Sequence, residues 1–353
     1  MAEPLYVPVL PVREHARLAY QDVRSGVQAA MAPLWNVPPC SDLPPAELVT
    51  TPWKKQLDRM WGSCHDHPGW VDAPFAEKAH IPALSEIFAK DADFLAPPCP
   101  VTGPERSEAQ KAAALETARH HGGGLGLRVC VPGEWDSRAA EAAQRLLVHV
   151  EREMPVDLLL DLGSVLPGRP DASKEALRAL DALWPLADWR VAAVLGGGCP
   201  RLADDDVPRF GQLHEEPRSD WGMWHEMQMS GRDYLAELVY GDYGVQPVSS
   251  LANESDGGRP PWGVLAYTTD DWFVLCKVSN LEPDRVAGIR AAARLLRDLP
   301  EFRGAAASTG ETWLHNCAGG PVTVGKGAGQ PQHWLRAGNT QHMTHVVRSL
   351  QRR

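Results

Sequence analysis

The chain has 353 residues, of which 44% are hydrophobic and 23% charged, and its formal net charge is −10. That is ordinary for a soluble globular protein and long enough for one large domain with an appendage. An acidic balance, with a pI near 5.7, excludes a protein that coats nucleic acid electrostatically, which needs clustered Lys and Arg, although it leaves room for a local basic groove.

The chain starts Met1-Ala-Glu-Pro-Leu-Tyr-Val-Pro-Val-Leu. It shows neither a basic n-region nor an adequate apolar h-region, and no run of about 18 apolar residues follows, so a cytoplasmic protein without membrane contact is expected. Strand Tyr6–Leu10, helix Glu14–Ser25 and strand Met31–Val37 form the first unit, which Pro38-Pro39 ends. Both strands are apolar on both faces, as parallel barrel strands are. Residues 40–68 are loop-rich, with a short helix suggested around Lys54–Met60, before strand Trp70–Phe75 and helix Ile81–Lys90. Phe94–Pro98 reads as a fourth strand, followed by helix Ser107–His120 and the stop Gly122–Gly124. Strand Leu125–Val131, helix Ser137–Glu151, strand Val156–Leu162, helix Ala172–Leu183 behind the N-cap Asp171, and strand Trp189–Leu195 continue the alternation. The segment 200–235 reads as an elaborated loop carrying one or two helices, and Leu238–Val245 is the eighth strand. Eight such strands within about 250 residues predict a (β/α)8 TIM-like barrel, an α/β fold, over residues 1–247.

Beyond residue 247 the rhythm changes. Trp262–Thr268 and Trp272–Val278, separated by Thr269-Asp270-Asp271, predict an antiparallel hairpin. Val286–Leu299 is an amphipathic helix, and Met343–Leu350 a short terminal one. The segment 248–353 is therefore expected to be an appendage packed at the barrel mouth, within the same structural domain. The seven cysteines form no CxxC pair, which fits reduced thiols. The thirteen tryptophans suit core and mouth packing, or flat walls for stacking ligands.

Barrel enzymes build their sites from the C-terminal ends of strands. Asp72, Asp161 and Asp242 lie in or at the end of apolar runs, where an unpaired carboxylate is costly. They read either as loop caps and buried ion pairs or as general acid–base groups, with a divalent cation as a further use of converging carboxylates. Gly241-Asp242-Tyr243-Gly244 reads as a backbone approach to a ligand or as a strand kink with Tyr243 in the core. Gly320-Pro-Val-Thr-Val-Gly325-Lys326-Gly327 has the spacing of a P-loop, but Gly327 replaces the Ser or Thr and no helix can open after it, so that reading is rejected. The pairs Cys64-His65-Asp66-His67, His315-Asn316-Cys317 and His342-Met343-Thr344-His345 reproduce no zinc pattern. His120-His121 suits a helix C-terminus, and there is no Gly-x-Ser-x-Gly or Gly-x-Gly-x-x-Gly. Trp334-Leu-Arg336-Ala-Gly-Asn339-Thr-Gln-His342 reads as a binding loop, with Trp to stack, Arg to hold an anion and Asn and His to orient, or as a strap whose Trp plugs the barrel.

Several short motifs together resemble the beta protein family of bacteria and their phages. They are Tyr6-Val-Pro-Val-Leu10, Pro33-Leu34-Trp35 with Pro38-Pro39, Asp242-Tyr243 after Trp221 and Trp224, Tyr267-Thr268 before the hairpin turn, and Trp334, Gly338 and His342. Ala266 stands where the resemblance leads one to expect Arg, and Lys277 on the second hairpin strand could supply that charge. The resemblance implies a barrel and a phage or mobile-element setting, and brings no reaction or catalytic residues with it.

The resulting expectation is one mouth lined by Asp72, Asp161, Asp242 and Tyr243 as catalytic residues and by Trp334, Arg336, Asn339 and His342 as ligand-binding residues, with Tyr267 and Lys277 at the rim. The expected function is a hydrolase or lyase acting on a phosphorylated or nucleotide-like ligand. The rival is a non-catalytic binding module for a phage or host component. A divalent cation is the one cofactor considered.

Overall fold

A computed structural model describes residues 3–39, 44–48, 58–59, 69–90, 98–201, 211–252, 262–279, 285–319 and 328–352. Eight parallel strands close into a barrel: β1 (Tyr6–Pro11), β2 (Leu34–Asn36), β3 (Trp70–Asp72), β4 (Cys99–Thr102), β5 (Leu125–Cys130), β6 (Val156–Ser164), β7 (Trp189–Gly197) and β9 (Leu238–Asp242), the last pairing with both β7 and β1. Around it run helices α1 (Glu14–Asp22), α2 (Ile81–Lys90), α3 (Glu108–His121), α4 (Arg138–Leu147), α5 (Ala172–Leu183) and α6 (Ser219–Gln228). The fold is thus the predicted TIM-like barrel. Among the described residues no helix is long and apolar enough to cross a membrane.

The pleat sorts the core into two layers. Val7, Val9, Leu34, Trp70, Leu159, Ala193, Leu195 and Val239 pack with one another inside the barrel. Their alternates Tyr6, Leu10, Trp35, Val71, Leu158, Leu160, Val194 and Tyr240 face outward onto helix residues such as Ala16, Tyr20 and Leu180. Successive residues of a strand point to opposite faces, and here both faces are apolar, which is why the strands read as continuous apolar runs.

The fourth strand runs over Cys99–Thr102, across Pro100; of the expected strand Phe94–Pro98, residues 94–97 lie outside the described ones. Its register is set by neighbours, Cys99 opposite Trp70 and Val101 opposite Gly126, which local apolarity does not report. The eighth barrel strand stops at Asp242, ahead of Gly244, whose φ is +63°.

The predicted hairpin is present as β10 (Trp262–Thr268) and β11 (Trp272–Ser279), and β11 also pairs antiparallel with β8 (Leu213–Pro217). Residues between β7 and β9 in sequence therefore complete a three-stranded sheet with the C-terminal hairpin. The polar edge strand Leu-His-Glu-Glu-Pro carried no apolar signal. Against this sheet lie α7 (Arg285–Arg297), α8 (Thr309–Gly319) and α9 (Pro331–Gln351). The last is a 21-residue helix where a loop and a short helix were expected. It buries Asn339, Thr340, Gln341, His342, Thr344 and His345, so its inward face has no hydropathic period to read.

Candidate functional site

At the C-terminal ends of the barrel strands the inward positions turn polar. Arg128 of β5 is buried there and all five of its N–H groups find acceptors. Nε and Nη2 donate to Asp161 Oδ2 at 3.0 and 2.7 Å, Nη1 to Asp72 Oδ2 at 2.6 Å and Asn36 Oδ1 at 2.7 Å, and Nη2 also to Tyr243 Oη at 2.9 Å. Tyr243 in turn donates to Asp161 at 2.7–2.8 Å, and Gly163 N to Asp161 Oδ1 at 2.9 Å. Burial would lower the Arg128 pKa, but Asp161, Tyr243 and Asp72 more than offset it and hold the guanidinium charged. Burial, and then the Asp161 charge, push the Tyr243 phenol well above its ordinary value. Arg106, one turn past β4, donates to the same Asp72 Oδ2 at 3.0 Å and to Pro74 O at 3.1 Å. Cys130 at the end of β5 is exposed, yet desolvation of its thiol and the Asp161 charge push it up to about 12, so it is no nucleophile near neutral pH.

Asp242 faces the other way. Pairing of Pro8 with Asp242 brings β1 alongside, and Tyr6 Oη donates to Asp242 Oδ1 at 2.5 Å, with Gly244 N on the same oxygen at 2.9 Å. His342 of α9 places Nε2 2.9 Å from Asp242 Oδ2 and Nδ1 2.9 Å from Thr268 Oγ1 of β10. The imidazole therefore joins the barrel wall to the C-terminal sheet. Beside it, Tyr240 donates to Asp220 Oδ2 at 2.9 Å. Burial would raise the Asp242 carboxyl, but His342, Tyr6 and Arg218 bring it below the usual range. Burial keeps Asp220, which accepts a single described hydrogen bond, above that range. Every member of this group is buried.

The ten expected site residues thus divide. Asp72, Asp161 and Tyr243 meet on Arg128 inside the mouth, whereas Asp242 and His342 meet on the outer side of the wall and share no described partner with them. Asn339 accepts from Val245 N at 3.1 Å and ties α9 to the chain after β9. Arg336 forms a bidentate pair with Asp22 of α1 at 2.5 and 2.7 Å. Trp334 is buried in the core of the C-terminal sheet and donates to Ala328 O. Tyr267 lies in that core too, with Glu311 and the Arg303 backbone N–H at its hydroxyl, and buried Lys277 stands 4.3 Å over the Trp262 ring. Arg336, Asn339, Trp334, Tyr267 and Lys277 therefore hold the C-terminal unit to itself or to the barrel and do not converge with Asp72 and Asp161.

Arg128, Arg106 and Asn36 were missed. Arg128 had a signal, since it is a charged residue in the middle of the apolar run Leu125–Val131. Among the described residues no group of three or more His, Cys, Asp or Glu is set to hold a metal ion, and the space between Asp72 and Asp161 is bridged by a guanidinium. The residues present at the mouth do not fit a divalent cation. Cys64–His67 and Gly320–Gly327 lie outside the described residues.

Compared with known families, the chain matches the Beta protein family model over residues 6–348, nearly its whole length. The chain belongs to the Beta protein family. No curated protein and no solved structure matches it. The matched span begins with Tyr6 and takes in His342, so both sides of the barrel wall, the Arg128 network and the Tyr6–Asp242–His342 group, belong to this family member's matched region.

Proposed function

We propose that this Beta protein family member is a hydrolase or lyase acting on a small phosphorylated or nucleotide-like ligand at the C-terminal mouth of its barrel, in a cytoplasmic, phage or mobile-element setting. The observation that carries the reading is the convergence of Asp72, Asp161 and Tyr243, from three separate strand ends, on Arg128, with Arg106 beside them. Both oxygens of Asp161 already accept from Arg128, Tyr243 or Gly163, so it serves to position Arg128 and Tyr243. The described contacts of Asp72 all fall on Oδ2, so its Oδ1 is the general-base candidate. Arg106 supplies positive charge for an anionic group, and Tyr243, whose hydroxyl donates to Asp161, helps to hold that carboxylate and Arg128 in place. Barrels of this kind mostly host reactions, which is an argument from fold alone.

A second reading, a non-catalytic module recognising a phage or host component, is favoured by the saturation of Arg128, which leaves it no N–H for a ligand. The test is thermal-shift screening against nucleotides, sugar phosphates and divalent cations on wild type, Asp72→Asn and Asp242→Asn, followed by turnover assays on each hit. The enzyme reading expects a nucleotide or sugar phosphate that raises the melting temperature and is consumed, with consumption lost in Asp72→Asn and retained in folded Asp242→Asn. Hits that bind wild type and Asp72→Asn alike and are never consumed transfer the case to the binding module.

A further inference from the structure

We draw no further inference here: the strongest candidate, the cavity of about 210 Å³ between the loop after β6 and the first turns of α5 and α6, offers two helix N-termini and, among its described lining residues, no buried polar atom without a partner to show what it would hold.

Discussion

Asp242 and Tyr243 are consecutive residues whose side chains leave the barrel wall on opposite sides. The carboxylate meets Tyr6 and His342 in the seam with the C-terminal helix, and the phenol meets Arg128 and Asp161 inside the mouth. One dipeptide therefore serves two polar networks, and substitutions at its two positions should report on different parts of the molecule.

The mouth network depends on Arg128. Arg128→Met leaves Asp72 and Asp161 buried without their shared counter-charge, which should destabilise the fold by about 3–5 kcal/mol. Urea unfolding measures this. A loss below about 1 kcal/mol would show that the carboxylates have other means of compensation.

The seam should make stability pH-dependent through His345, which lies in it with Nε2 3.1 Å from Thr269 O. Burial first, and then the charges of Arg303, Arg218 and His342, lower its pKa to about 2. The unfolded imidazole takes a proton below about 6.5 and the folded one does not, so stability present above that pH drains away on acidification, by about 1.4 kcal/mol per pH unit. Unfolding free energies at pH 7, 6 and 5 should fall more steeply in wild type than in His345→Gln, and parallel profiles would refute the assignment.

These two networks also mark what could be read from sequence. The eight-unit rhythm was legible because parallel strands covered on both faces are apolar throughout. Asp72, Asp161 and Tyr243 were legible as polar intrusions in those runs. Placing Asp242 with Tyr243 in one mouth overlooked the pleat, which sends adjacent side chains to opposite faces. The helix Pro331–Gln351 was illegible for another reason: it buries amides, hydroxyls and imidazoles against backbone and polar partners, so the stretch Trp334–His342 looked like a ligand-binding loop. Strand Leu213–Pro217 was hidden because an edge strand can be polar on both faces.

Gly241 offers a steric test. A Cβ there would lie 2.4 Å from Leu195 Cδ2 and 2.8 Å from the Val7 carbonyl oxygen inside the wall, whereas one at Gly26 meets nothing within 4 Å. Gly241→Ala should cost about 1–3 kcal/mol by overpacking. Gly26→Ala, in the helical turn Ser25–Gln28, should be neutral or stabilising by up to about 1 kcal/mol. Thermal melts of the two variants compare them directly, and similar melting temperatures would count against close packing at Gly241.

Trp334 and Arg336 should behave as structural residues of unequal weight. Trp334→Ala empties a buried site in the C-terminal core and should cost about 3–5 kcal/mol. Arg336→Ala breaks a half-buried pair with Asp22 and should cost about 1 kcal/mol or less. Neither folded variant should alter the thermal shift given by a mouth ligand, and loss of that shift in folded Arg336→Ala would restore the residue to ligand binding.

The Cys130 thiol, exposed but pushed up to about 12, should resist alkylation. At pH 8 its reaction with iodoacetamide, followed by peptide mass spectrometry, should run at least tenfold slower than that of free cysteine, whose pKa is about 8.5. Equal rates would place the thiolate within reach near neutral pH and reopen a nucleophilic role.

Helix α9 covers one of the first elements of the chain. Its Met343, Val346 and Val347 share a core with Ala16, Ala19 and Tyr20 of α1, Thr340 bonds to the Ala19 carbonyl, and Arg336 pairs with Asp22. During synthesis, α1 and the outward carboxylate of Asp242 must wait for residues 331–351 before their apolar and charged surfaces are sealed. A nascent chain stalled or cut short of that helix would present an open flank to chaperones and proteases, however complete its eight barrel strands.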